Sequence, residues 1–196
     1  AHHVDQQSRI FMNLVIKPCT AEQSDHRRGE LPCSVIMYVR NGGPFFEKAL
    51  QSSLPCREHV VLDGGSTDHT VEIARKYGCR VLAQDPQFLD ASGRIINFGG
   101  IASQAYAEAR GPWVVFLAAD EELNPDFFRA MTTVMDAGRK GAYMIDRYFV
   151  IGGRVMKYLS LQHNYQIRFC HKDSVLRFTK AVHERPVLAP GVTAEV

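Results

Sequence analysis

From residue 34 onward the chain alternates two kinds of apolar pattern. Short unbroken runs, VIMYV at 35–39, VVL at 60–62 and WVVFL at 113–117, have the length and β-branched content of buried strands, and RVL at 80–82 reads as a shorter one. Between them the apolar positions recur at helical spacing. After Asn41-Gly42-Gly43, Pro44 sits where a helix can begin, and Phe46, Ala49 and Leu50 share one of its faces. Asp68 is the expected cap of a second helix, with Val71, Ala74 and Tyr77 as its stripe and Gly78 as its stop. A small-residue helix is expected over 101–110, broken by Gly111-Pro112. Asn124-Pro125-Asp126 opens a fourth, lined by Phe127, Met131, Val134 and Met135 and ended by Gly138. Residues 84–100, richer in Gly, Asp and Asn, show no clean period. Strands alternating with helices predict an α/β fold whose mostly parallel sheet is covered on both faces. Beyond residue 140 the pattern changes: 143–150, a Gly152-Gly153 turn and 165–169 read as extended, antiparallel pieces. Residues 1–32 differ again, with one apolar piece at 10–16 and a polar stretch at 20–30, and are expected to be an extension and linker ahead of a single domain over 33–196.

A chain of 196 residues is long enough for one domain with a sizeable core. Its 45% hydrophobic and 22% charged residues belong to an ordinary globular protein. The net charge of +2 gives no strong nucleic-acid signal. No apolar run reaches membrane-spanning length, and the N-terminus lacks a signal peptide's apolar stretch. The five cysteines, Cys19, Cys33, Cys56, Cys79 and Cys170, are scattered and never in CxxC spacing. That usage argues against a disulfide framework or zinc knuckle and places the chain in a reducing cytoplasm.

The most informative stretch is HVVLDGGSTDHTVEIARKYG at 59–78. A buried strand there delivers Asp63 to its carboxyl end, where open α/β sheets bind ligands, and Gly64 and Gly65 leave room for a ligand to approach the backbone. The competing reading of Asp63 is a turn cap.

Five segments in order resemble the inverting GT-A glycosyltransferases of family 2, which use nucleotide-sugar donors. They are SVIMYVRN at 34–41, DGGSTDHT at 63–70, WVVFLAADEEL at 113–123, which matches a DxD-bearing strand in part, and the later YQIRF and AVHE. The last two are similar to a subgroup that includes lipopolysaccharide-core sugar transferases. The resemblance covers roughly residues 34–187 and implies a GT-A, Rossmann-like sheet with a small antiparallel C-terminal part. It also implies a nucleotide-binding half over 33–123 and an acceptor-side half over 124–196.

What the resemblance implies for the site can be set beside the chemistry. Moving a sugar requires a grip on the nucleoside, neutralisation of the departing diphosphate and a base for the acceptor hydroxyl. Asp63 matches the Asp that contacts the base. Val39, Arg40, Asn41, Gly64 and Ala119 fall at positions around the nucleotide sugar, Arg40 replacing a commoner aromatic residue. Asp120 is the metal-ligand candidate, since Mn²⁺ or Mg²⁺ prefers carboxylate and phosphate oxygens and would act as a Lewis acid on the leaving group. Its alternative is the start of the following helix. His183 is assigned to metal or diphosphate and Glu184 to acceptor deprotonation or to holding His183, with Asp146 as the reserve base. Arg94 and Arg168 are candidates for the diphosphate, with solvated surface charges as the alternative.

The chain departs from the family at Ala118, where the first Asp of DxD is expected, although Glu121 and Glu122 are close enough in sequence to substitute. The Arg-Asn pair that often precedes the DxD strand is replaced by Ala102 and Ser103. These departures motivate a second reading, a nucleotide-sugar-binding protein with impaired catalysis. A nucleotidyltransferase is a third, for which Arg40-Asn41-Gly42-Gly43 imitates the required basic Gly-rich loop poorly. The partners expected are a nucleotide-sugar donor and a hydroxyl acceptor on a glycan, lipid-linked sugar, protein or other molecule, with peripheral membrane contact as a further class.

Overall fold

Unbroken β-branched runs have nowhere to hide but the middle of a sheet, and four of them form its parallel core. The structure is a computed structural model and describes residues 11–14, 27–151, 154–156, 165–182 and 184–195. In chain order the elements are β1 (Phe11–Leu14), β2 (Leu31–Val39), α1 (Gly43–Ser52), β3 (Cys56–Asp63), α2 (Thr70–Lys76), β4 (Arg80–Ala83), a 3₁₀ turn (Pro86–Phe88), α3 (Phe98–Glu108) and β5 (Trp113–Phe116). Then follow β6 (Glu121–Glu122), α4 (Pro125–Asp136), β7 (Ala142–Ile151), β8 (Arg154–Met156), β9 (Tyr165–His171), a second 3₁₀ turn (Lys172–Ser174), β10 (Val175–Thr179), β11 (Arg185–Leu188) and β12 (Ala194–Glu195).

The main sheet runs β4-β3-β2-β5-β9-β7-β1-β6, with β8 and β12 also pairing β7, while β10 and β11 form a separate hairpin. β2, β3, β4 and β5 are parallel. β9 is antiparallel to both β5 and β7, as expected of the later extended pieces. The register sets Val39 opposite Asp63 and Asp63 opposite Ala83, so the parallel strands end together along one edge. β9 enters from that edge and β7 leaves toward it, with Asp146 paired to Tyr165. Residues 100 positions apart in sequence therefore share one border of the sheet because of strand direction alone.

Alternation along β2 divides the core. Val35, Met37 and Val39 join Phe46, Leu50, Phe127 and Met131 under α1 and α4. Ile36 joins Val60, Leu62, Ile101, Phe116 and Phe178 under α3 and the β10–β11 hairpin. The expected faces of α1 and α4 are those buried, and Asn124 Oδ1 accepts from Phe127 N at 2.9 Å as the cap of α4.

Three expectations are corrected. α3 begins at Phe98 rather than 101, capped by Asn97 Oδ1 accepting from Gly100 N at 3.0 Å. Its first-turn glycines serve close approach: a Cβ on Gly99 would lie 2.8 Å from Lys180 O, and one on Gly100 2.5 Å from the Phe88 ring. α2 starts at Thr70 with His69 in the cap position, while Asp68 Oδ1 accepts from Thr70 N at 3.0 Å and its Oδ2 from Gly43 N at 3.1 Å, tying two helix starts together. Glu121 and Glu122 form a short strand against β1 instead of opening a helix. The Gly152-Gly153 turn lies outside the described residues. No helix among the described residues is long and apolar enough to cross a membrane.

Candidate active site

Two loops at the carboxyl edge are laced by short polar side chains. Asp63 closes its own turn, Oδ2 accepting from Gly65 N at 3.0 Å and Ser66 N at 3.1 Å. Asn41, held at φ +54°, donates its N–H to Ser66 Oγ at 2.9 Å and accepts from Thr67 N at 2.8 Å. Gly42 N donates to Thr70 Oγ1 at 2.9 Å. RNGG and DGGSTDHT are therefore one unit, and the Asp63 carboxylate serves as a turn cap at the very place where it would face a nucleoside. Gly64 N donates to Val39 O at 2.8 Å, and a Cβ there would lie 3.0 Å from Gln84 Oε1. Gln84 is buried and donates to Leu62 O at 3.2 Å. It fixes the floor of this loop pair, a role that its place at the head of an irregular stretch did not reveal.

Arg40 does not stand free. Its Nη1 donates to Ser92 O and Gly93 O, both at 2.9 Å, clamping the turn after β4 over the edge. Arg94 is exposed on that turn, which is closed by Asp90 Oδ1 accepting from Arg94 N at 2.9 Å.

After β5, Glu121 N donates to Ala118 O at 3.1 Å, which makes a tight turn with Ala119 and Asp120 at its corner. Asp120 is solvent-exposed along part of its surface. Its carboxyl is nonetheless raised above the usual range, first by desolvation and then by Glu121, against the opposing pull of Arg168 and Arg147. Glu121, expected as a substitute metal ligand, is buried and committed elsewhere. Its Oε1 accepts from Arg147 at 3.1 Å and from Arg168 at 2.9 Å, and its Oε2 from Ala118 N at 2.9 Å. Among the described residues no group of three or more His, Cys, Asp and Glu gathers as a metal cage.

Glu184 arrives from another direction. The β10–β11 hairpin docks on the first turn of α3, whose otherwise orphaned N–H groups donate to it: Phe98 N to Ala181 O at 3.0 Å and Gly99 N to Lys180 O at 3.1 Å. Phe178 N adds a bond to Ser103 Oγ at 3.0 Å. The connection between β10 and β11 is thereby pressed against β2, where Tyr38 Oη donates to Glu184 Oε1 in a short hydrogen bond. Burial first, then the Glu184 charge, pushes the Tyr38 phenol above its usual range. Tyr38 was not expected as a site residue, since it reads as one more apolar position of its run. His183 lies outside the described residues.

The start of α3, the first half of β9 and the β10–β11 connection border a cleft of about 810 Å³ lined by Phe98, Phe116, Arg147, Arg168, Glu184 and Arg185, among others. Arg168 and Glu184 thus meet in one cleft. Val39, Asn41, Asp63, Gly64, Ala119 and Asp120 lie at the strand ends and do not line it, nor do Arg40 and Arg94. Asp146 is buried, does not line the cleft and accepts from Tyr148 Oη at 2.9 Å, so of these two carboxylates only Glu184 faces the cleft.

The family model described as Glycosyl transferase family 2 matches residues 34–191. A TPR repeat-containing protein of Synechococcus elongatus is 30% identical over 152 residues, covering 77% of this chain and 34% of that protein. The chain therefore spans about a third of the length of this relative. Among solved structures, S. aureus TarS is similar with a TM-score of 0.52 at 19% identity, over 71% of this chain and 28% of the TarS chain. Its 1–349 fragment in complex with UDP gives the same score and identity, over 71% and 46% of the two chains.

Proposed function

The chain belongs to glycosyl transferase family 2 and has the GT-A fold, and on that premise we propose that it moves a sugar from a nucleotide-diphosphate donor, read as a UDP-sugar, to an acceptor hydroxyl with inversion. The observation that carries this reading is the delivery of Glu184 by the β10–β11 connection into a cleft at the sheet edge where β3 and β5 also bring Asp63 and Asp120. That TarS was solved with UDP supports a uridine donor. The division into a nucleotide half over 33–123 and an acceptor half over 124–196 belongs to the same proposal.

In this mechanism Glu184 takes the proton of the acceptor hydroxyl. Tyr38 occupies Oε1, leaving Oε2 for the proton. The acceptor oxygen forms its bond to the anomeric carbon as the bond from that carbon to the diphosphate oxygen breaks, and the electron pair departs with the diphosphate. Arg168, held at the cleft wall by Glu121, supplies positive charge to that leaving group. Asp63 and the Arg40–Asn41 loop hold the nucleoside. Asp120 would hold a divalent ion, because a cation relieves the carboxylate charge that desolvation and Glu121 disfavour. His183 is a further ligand candidate. When bound, Mn²⁺ or Mg²⁺ would neutralise charge on the diphosphate.

Two experiments follow. Calorimetric titration with UDP, GDP, CDP and dTDP, each with and without Mn²⁺, should show one nucleotide binding in a metal-dependent manner. Asp63→Ala and Asp120→Ala should each weaken it by about tenfold or more, the cost of losing one charge-assisted contact. No binding of any nucleotide at millimolar concentration would overturn the reading. Tyr38→Phe keeps the ring and removes only the hydrogen bond to Glu184, so kcat should fall by about tenfold with donor KM unchanged. A rise in KM with unchanged kcat would instead assign Tyr38 to donor binding.

A second reading, nucleotide-sugar binding with impaired catalysis, draws on one observation. Ala118 brings no carboxylate, and that of Glu121 is taken by two arginines and the Ala118 N–H, so the acidic set is one ligand short of DxD. Transfer or hydrolysis of the bound donor decides between the two.

A further inference from the structure

The amino edge of the sheet, opposite the proposed donor site, collects more positive charge than the fold uses. A cavity of about 320 Å³ there is lined by Arg28, Arg57, Arg80 and Arg110, with Glu58 as its one carboxylate and His59 beside it. The four arginines come from four segments: the loop before β2, the starts of β3 and β4, and the turn between α3 and β5. Parallel strands bring them together because all four strands start at this edge.

Part of this charge has a structural account. Arg28 donates to Tyr77 O at 2.8 Å beyond the end of α2, and Arg80 pairs with Glu108 at 2.6 Å and with Glu58 at 3.5 Å. Arg57 and Arg110 have no such account. Among the described residues Arg57 reaches only Glu30 O at 3.5 Å, the limit of a hydrogen bond. The Arg110 side chain makes no hydrogen bond or ion pair with the described residues; its backbone N–H alone donates to Glu58 Oε2 at 2.8 Å. Glu58 cannot balance the cluster, since Oε2 also accepts from Ser34 Oγ at 2.5 Å and Oε1 faces Arg80. Two carboxylates, Glu58 and Glu108, stand against four guanidinium groups, and the excess positive charge favours an incoming anion.

We propose that this cavity is a second binding site, separate from the donor site, which takes a small phosphate-bearing molecule through Arg57 and Arg110, with Arg28 and Arg80 as its fixed rear wall. Guanidinium forks match phosphate oxygens two at a time. The cavity is at the small end of ligand pockets, large enough for a phosphate on a compact body and too small for a polymer. The large apolar residues exposed among the described ones, Ile96, Tyr165, Leu176 and Val182, do not line it, so it lacks the greasy rim of a membrane-facing headgroup site.

His59 provides an internal reporter. Its ring lies against Ser53 Oγ at 2.9 Å, and burial first, with a contribution from the Arg28 charge, pulls its pKa down to about 4. A phosphate entering beside it favours the imidazolium and raises that value.

The test is an NMR pH titration of the His59 ring with and without inorganic phosphate, in the wild type, the Arg57→Ala/Arg110→Ala double variant and Asp63→Ala. Phosphate should raise the His59 pKa in the wild type and equally in Asp63→Ala, and bind about tenfold or more weakly to the double variant, the loss expected for charge-assisted contacts. The double variant keeps the Arg80–Glu108 pair, and its far-ultraviolet spectrum should match the wild type. An unresponsive His59, or equal phosphate affinity in the double variant, overturns the proposal. So does loss of the phosphate effect in Asp63→Ala, which would assign it to the donor site. Phosphatidylcholine vesicles containing phosphatidic acid form the last arm; a response to vesicles but not to free phosphate would make this a lipid-headgroup surface and overturn the small-molecule reading.

Discussion

Glu184→Gln is expected to lower kcat by about 10²–10⁴-fold while nucleotide affinity is retained, the range for loss of a positioned general base. The amide has nearly the volume of the carboxylate, and its oxygen still accepts from Tyr38 Oη, so the β10–β11 connection stays seated. It cannot take a proton, which isolates the base function from packing. Steady-state sugar transfer at saturating donor, paired with calorimetric nucleotide binding, separates the two. Unchanged transfer by this variant would remove Glu184 from the chemistry and return attention to Asp146, whose carboxylate is buried with Tyr148.

The second large effect falls on stability. Glu121→Ala should cost about 3–5 kcal/mol, the range for removing one partner of a buried ion pair. Its side chain is 2% exposed, and the arginines it bridges, Arg147 and Arg168, are 8% and 12% exposed. Without it two guanidinium groups face each other with reduced access to water. Arg147 is already below its usual range, first through burial and then through the charge of Arg168. Ala118 N would lose its acceptor as well, loosening the turn that presents Asp120. In a chain of this size that loss lowers the thermal midpoint by roughly 10 °C. Urea denaturation of both proteins measures it directly. Replacing all three members with Met should recover most of the stability, because apolar substitutes avoid the desolvation cost, but not the activity, since Arg168 is then gone. A Glu121→Ala protein as stable as the wild type would show that the arginines do not depend on this carboxylate.

The same residue shows where reading the sequence stops. Glu121 follows Asp120 directly, and by proximity it is a fair substitute for the missing first acid of DxD. Only the register of β9 and β7, which sets Arg168 and Arg147 on either side of it, turns it from a metal candidate into a structural counterion. Tyr38 is the converse case. It sits inside an apolar run, and nothing local marks it as polar in function until a hairpin 146 residues away brings Glu184 to its hydroxyl.

By itself the sequence determined the α/β alternation, the α1 and α4 faces, the antiparallel later strands and the arrival of Asp63 at a strand end. Each of these follows from local periodicity, turn chemistry and the rule that buried backbone must be paired. The tertiary structure alone decided which charged residues meet. Gly99 and Gly100 fall in the stretch without a clean period, ahead of the expected helix, yet they belong to α3, where a carbonyl and a ring approach too closely for any side chain. The gathering of Glu184 and Tyr38, the Arg147–Glu121–Arg168 bridge and the arginines at the opposite edge depend on strand order and direction, which are long-range pairings, and the spacing of residues along a chain carries no record of them.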